Sequence, residues 1–297
     1  MSPRPTLKGV LLVLASAVLF STKSIFIKLG YREAVDPVTL LTLRMVLALP
    51  FFLFMGWWAS RNETRVTLTA RDWGILAALG VGGYYLAALL DFLGLQYISA
   101  GLERLVLFLY PTFTVLMTAL WLKRPVSRRT WSAIAVSYLG MGLVVWPDLQ
   151  HSSRDLGLGM ALVLGSSLTY ALYLVGSGEM IPRLGANRFT GIALSVACTA
   201  GGLQFLSSHS LSALGGLSAH AWGLGVILAV VCTVLPATLL TNGMRHIGAP
   251  RAALIGAVGP VATLYLGYVV LGETLGWIQA AGTAFVLGGV LMVSRQR

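Results

Sequence analysis

Gly94-Leu95-Gln96-Tyr97-Ile98-Ser99-Ala100 is answered 149 residues later by Gly243-Met244-Arg245-His246-Ile247-Gly248-Ala249, with Gly, Ile and Ala in one register. The same offset sets Trp73-Gly74 on Trp222-Gly223, Leu105 on Leu254, Pro111 on Pro260, Thr114 on Thr263, Leu122 on Leu271 and Gly140 on Gly289. Upstream the spacing is one longer: Gly9 and Ser16 meet Gly159 and Ser166, and Phe20 meets Tyr170. Chance matches among apolar residues are common, but a shared Trp-Gly, Pro and Gly framework in one register is not. The chain reads as two copies of one unit, 1–147 and 155–297.

Composition says what each copy is made of. Of 297 residues, 57% are hydrophobic and 10% charged, where soluble domains carry about a quarter charged. With a mean hydropathy of +0.82, a water-soluble domain and a disordered chain are both excluded. Apolar runs of roughly 20 residues recur, long enough to cross a bilayer core of about 30 Å. The alternating segments of about 10 residues expected of a β-barrel are absent. Loop breakers divide the runs into ten spans: 8–29, 36–58, 73–97, 101–122, 129–146, 156–179, 188–206, 221–244, 251–271 and 275–294. The expected fold is an all-α membrane protein, ten transmembrane helices in two five-helix repeats. Five is odd, so the repeats enter the membrane from opposite sides. Inverted repeats around a central cavity are an architecture of secondary transporters.

The 21 Lys and Arg divide unevenly over the two sides of this topology. Fifteen, including Arg4, Lys8, Arg61, Arg124, Arg183, Arg245 and Arg297, fall on the amino-terminal side. Four (Lys28, Arg32, Arg104 and Arg154) fall on the other, and Lys23 and Arg44 lie within spans. The positive-inside rule then puts both termini in the cytoplasm. The net charge of +11 reads as topology signal and lipid headgroup contact, with no nucleic-acid partner implied. Arg4 and Lys8 before Ala15-Ser16-Ala17 resemble a signal peptide, but the apolar segment runs on to Leu29 and reads as a retained first helix. Cys198 and Cys232 sit in apolar segments without metal-ligand spacing, and read as small core residues. No metal or other cofactor is implied.

Charges inside spans are costly and usually functional. Lys23, Arg44 and Asp91 fall at comparable depth in the outer half, where they form either a substrate-facing charge network or a set of helix-locking ion pairs. Asp91 reads as the only clearly intramembrane carboxylate, with Glu179 and Glu273 near helix ends. The midplane is aromatic and weakly polar: Ser16, Phe20, Tyr84, Tyr85, Tyr110, Tyr170, Tyr173, Thr238 and Asn242 are, with Lys23, the candidate substrate-binding residues. Aromatic walls with a few hydroxyls suit moderately apolar zwitterions; interhelical packing is the alternative use of the same residues. Pro111 and Pro260 hold matched positions in the fourth and ninth spans, as expected of paired hinges.

Several enzyme classes lack their signatures. There is no Walker loop. The four histidines lie in loops or at helix ends, which leaves no Ser–His pair for an intramembrane protease. His151-Ser152-Ser153-Arg154-Asp155 is one residue short of an acyltransferase motif.

Together these residues resemble the drug/metabolite transporter superfamily, specifically its ten-helix EamA-type exporters. The resemblance rests on Gly9, Ser16, Phe20 and Lys23, on Arg44-Met45-Val46-Leu47-Ala48, on Gly94–Ala100, and on Tyr110-Pro111. In the second half it rests on Ile247-Gly248-Ala249, Gly259-Pro260 and Leu271-Gly272-Glu273. At Leu122-Lys123-Arg124 the first half departs from the pattern, since the family more often has an acidic residue there, like Glu273. The resemblance implies a carrier of the cell inner membrane that exports amino acids and related small metabolites, most like the YddG aromatic amino-acid exporters. Open alternatives are other metabolites, nucleotide sugars or drugs, and a non-transporting membrane enzyme or scaffold. Nucleotide sugars would want more basic cavity residues, and cationic drugs a central Glu that the spans do not offer. Direction, driving ion and the choice between monomer and homodimer are not readable from the sequence.

Overall fold

The computed structural model describes residues 7–62, 66–121, 128–149, 154–247, 255–256, 258–274 and 276–294. The landmarks Leu122-Lys123-Arg124, His151 and Gly248-Ala249 lie outside them. Every regular element among the described residues is helical, as a chain in hydrocarbon requires to satisfy its backbone internally. In chain order the helices are α1 (Leu7–Ser21), α2 (Lys23–Arg32), α3 (Pro37–Asn62), α4 (Ala70–Ala78), α5 (Leu86–Gly94), α6 (Ala100–Leu107), α7 (Tyr110–Trp121), α8 (Arg128–Leu149), α9 (Arg154–Leu184), α10 (Ala186–Ser208), α11 (Ser212–Gly215), α12 (Ala219–Ala229), α13 (Leu235–Ile247), α14 (Val258–Leu266) and α15 (Trp277–Ser294).

Seven stretches of described helix are long and apolar enough to cross a membrane: Leu7–Arg32, Pro37–Asn62, Ala70–Gly94, Ala100–Leu120, Asp155–Leu184, Ala186–Ser208 and Ala219–Leu240. Two shorter apolar stretches, Ile134–Val144 and Val258–Leu271, fall within the fifth and ninth sequence-derived spans. α15 occupies the tenth.

Several of these rods are interrupted. Thr22 separates α1 from α2, its Oγ1 turned back to the Leu19 carbonyl oxygen at 2.7 Å. Phe108-Leu109 separates α6 from α7. Wide π turns occupy Leu79–Tyr85, Val230–Val234 and Gly267–Leu271. Such turns inside α-helices are rare and frequently mark functional sites. The first two stand near matching places in the halves, because Tyr85 and Val234 are 149 residues apart.

The helices that join the halves pack through glycine and serine, the small residues that let backbones approach in lipid. A Cβ on Gly94 would lie 2.5 Å from Val163 and 3.0 Å from the Gly159 carbonyl oxygen. At Gly243 a Cβ would lie 2.5 Å from Val13 and 3.2 Å from the Gly9 carbonyl oxygen. The hydroxyls follow the same arrangement: Ser166 Oγ donates to Ala87 O at 2.7 Å, and Ser16 Oγ to Pro236 O at 2.7 Å. The α5–α9 contact thus has a residue-for-residue counterpart in the α13–α1 contact. The largest buried cluster, with Leu40, Met45, Phe52, Phe92 and Leu228, lies among α2, α3, α5, α10 and α12.

Candidate functional site

The break at Thr22 starts α2 on Lys23, which is 8% exposed. Its ammonium is ion-paired with Asp91 of α5 and lies 3.4 Å from Glu103 Oε1 of α6. Ser24, next along α2, donates from its hydroxyl to the other Glu103 oxygen. Asp91 is 2% exposed and Glu103 is fully sealed. Buried ions survive only when paired and hydrogen-bonded, and here one ammonium serves two carboxylates.

Arg44 of α3 is 6% exposed. Its Nε donates to Thr233 Oγ1 at 2.9 Å and its Nη2 to the Tyr84 hydroxyl at 3.2 Å. The guanidinium carbon stands 5.6 Å from the Phe92 ring centroid, within cation–π range. Tyr84 then leads into a ladder of rings. Tyr84 meets Tyr173 at 5.6 Å edge-on, Tyr173 stacks on Tyr170 at 5.9 Å, and Tyr170 meets Tyr110 at 5.1 Å edge-on. The π turn at Leu79–Tyr85 seats this ladder. Gly83 has no Cβ where one would fall 2.7 Å from Tyr173 Cβ, so α9 approaches closely enough for the rings to touch.

The EamA-like transporter family matches residues 7–146 and again residues 157–295. The chain belongs to that family. It is 32% identical to the uncharacterized transporter YcbK of Bacillus subtilis (strain 168), over 98% of this chain and 92% of that protein. It is 26% identical to the uncharacterized transporter sll1319 of Synechocystis, over 98% of this chain and 94% of that one. A crystal structure of a protein at 17% identity superposes with a TM-score of 0.64, over 96% of this chain and 94% of the other, and so shares the fold. This EamA protein is therefore a multi-pass membrane transporter, not an enzyme.

The sequence-derived residues do not all meet. Lys23, Arg44 and Asp91 converge with Tyr84, Tyr110, Tyr170 and Tyr173. Tyr85, one residue past Tyr84, turns instead to Gln204 of α10. Ser16 is buried, holding the α1–α13 contact. Thr238 bonds within its own helix to Leu235 O at 2.8 Å, and the exposed Asn242 to Thr238 O at 2.9 Å. No ring contact among the described residues joins Phe20 to the ladder. Pro111 and Pro260 are the second residue of α7 and the third of α14. In a first turn, as at Pro111, a proline removes no intrahelical hydrogen bond.

Two expectations are corrected. Asp91 is not the only carboxylate buried within the spans, because Glu103 is buried beside it, engaged by Lys23 and Ser24. Arg104 is no surface topology charge. It is half-buried, close to Gly259 of α14 and within electrostatic reach of Tyr110 and Tyr170. Both lie in the first turn of the fourth span, where a helix end ordinarily meets water. The break at Phe108-Leu109 sets α6 apart as a short piece packed inward. Ser24, Phe92 and Thr233 also escaped notice, being unremarkable in an apolar run.

The bundle is tied across its halves near both ends. At one end Glu273 accepts from the backbone N–H groups of Ala100 at 2.6 Å and Gly101 at 3.1 Å, capping α6. There Arg32 also donates to Leu271 O at 2.7 Å. A cavity of about 330 Å³ lies beside these contacts, lined by Lys28, Tyr31, Arg32, Gln96, Leu271 and Glu273. At the other end Arg183 grips Asp72 through two bonds of 2.8 and 3.2 Å, and Arg188 reaches Val66 O at 2.8 Å.

Proposed function

We propose that this chain is a secondary carrier exporting amino acids and related small metabolites across the bacterial inner membrane by alternating access. The observation that carries the reading is the tyrosine ladder. Tyr84 and Tyr110 come from the first half and Tyr170 and Tyr173 from the second, with Arg44 bonded at one end and Arg104 near the other. Rings accept varied apolar side chains without demanding one shape, and the arginines attract a carboxylate.

The architecture in this reading is ten spans in two inverted repeats, 1–147 and 155–297, with both termini cytoplasmic. The matched contacts of Gly94 with Gly159 and Gly243 with Gly9, and of Ser166 with Ala87 and Ser16 with Pro236, support it. Each pair exchanges the roles of the halves, as a two-fold axis in the membrane plane would. The ties at the two ends are then the outer and inner closures, opened in turn.

The test is counterflow of radiolabelled amino acids into liposomes containing only the purified protein, across the twenty common amino acids. Saturable exchange of a subset, aromatic ones included, is the expected result. No exchange of any of them would refute the amino-acid reading.

A further inference from the structure

The inner cluster holds three cations with unequal provision. Lys23 has two carboxylates, and Arg44 has two hydroxyls and an aromatic face. The side chain of Arg104, one residue past Glu103 on α6, makes no hydrogen bond or ion pair among the described residues, and its Nε is sealed from solvent without a partner. Room for the guanidinium is made by Gly259. A Cβ there would fall 3.0 Å from Arg104 Nη2 and 3.7 Å from Nε. The neighbouring Ser21 hydroxyl donates to Gly259 O at 2.9 Å and Ala17 O at 2.6 Å.

A buried donor without an acceptor is costly, and an arginine fork matches a carboxylate in two parallel bonds. Three cations against Asp91 and Glu103 also leave one positive charge over when all are ionised. From these points, and resting on the carrier reading above, we infer that Arg104 is the anchor for the substrate's carboxylate, with Tyr110 and Tyr170 receiving the adjoining apolar or aromatic part. The substrate class is carboxylates and zwitterions whose carboxyl group is free; amides and simple amines are excluded.

Calorimetric titration of phenylacetate, its neutral isostere phenylacetamide, and phenethylammonium onto the purified protein in nanodiscs tests this. The wild type is expected to bind phenylacetate at least tenfold more tightly than either of the others. Arg104→Gln should abolish the preference, and Arg104→Lys should retain part of it. Equal binding of phenylacetate and phenylacetamide by the wild type, no binding of phenylacetate, or an undiminished preference in Arg104→Gln would each overturn the anchor. If Arg104→Gln does not fold, Arg104→Lys decides: its preference should fall several-fold, and an unchanged one overturns the proposal. Phenylalanine counterflow separates the two readings. Arg104-dependent phenylacetate binding without any amino-acid flux would keep the anchor and remove amino-acid export. Flux unaltered by Arg104→Gln would keep the carrier and remove the anchor.

Discussion

Lys23 and Asp91, 68 positions apart in sequence, meet as an ion pair with side chains 10% and 3% exposed. Removing one member of such a pair strands the other's charge in a medium that solvates it poorly, at a cost of about 3–5 kcal/mol. Lys23→Ala and Asp91→Ala should therefore each reduce counterflow at least tenfold and lower the melting temperature in detergent. The double variant should regain part of both. Full flux in the two single variants would place the pair outside the transport cycle.

Glu103 draws on Ser24 as well as on Lys23. Ser24→Ala takes the hydroxyl away and leaves a sealed carboxylate oxygen without a donor, a loss of about 1–3 kcal/mol. A melting temperature several degrees below wild type is the expected result. Glu103→Ala combined with Ser24→Ala should add little to Glu103→Ala alone, since the hydroxyl then has no carboxylate to serve.

The cap of Glu273 on α6 makes a different kind of prediction. Glu273→Ala frees the Ala100 and Gly101 N–H groups and removes that tie to the start of α6. A cysteine at Gln96→Cys, beside the 330 Å³ cavity, should then react several-fold faster with a membrane-impermeant maleimide. An unchanged rate would mean that Glu273 does not hold that end closed.

Gly94 and Gly243 give a paired test of the architecture. Gly94→Val and Gly243→Val each push a side chain into a facing helix already in contact, and overpacking of this kind costs about 1–3 kcal/mol. The two losses should be similar, and thermal melting would show it. Tolerance at one site and collapse at the other would argue against equivalent contacts.

Much of this was legible in the chain. The apolar runs marked where the described helices fall, and Gly94 and Gly243, matched in register along the chain, make matching helix contacts in the structure. Lys23, Arg44 and Asp91 stood out because an apolar span gives a charge nowhere to hide. Glu103 and Arg104 did not, since depth is measured from the ends of a run and α6 is buried by packing rather than by depth. Azimuth was harder still. A helix that is apolar all round does not declare which side faces its neighbours, which is why Thr238 and Asn242 were grouped with the tyrosines. The π turn over Leu79–Tyr85, which holds both Tyr84 and Tyr85, shifts the helical phase at a place where sequence periodicity assumes it constant.

The break at Thr22 has a mechanical consequence. Lys23 sits at the pivot of the limb α2 and Arg32 at its tip, nine residues or about 13 Å away at 1.5 Å per residue. A swing of about 15° about Thr22 would carry Arg32 some 3–4 Å, enough to part it from Leu271, while hardly displacing Lys23. The lever is short-armed at the charge and long-armed at the rim, so that in the alternating-access reading proposed above one end of the bundle would loosen while its ionic centre stays whole.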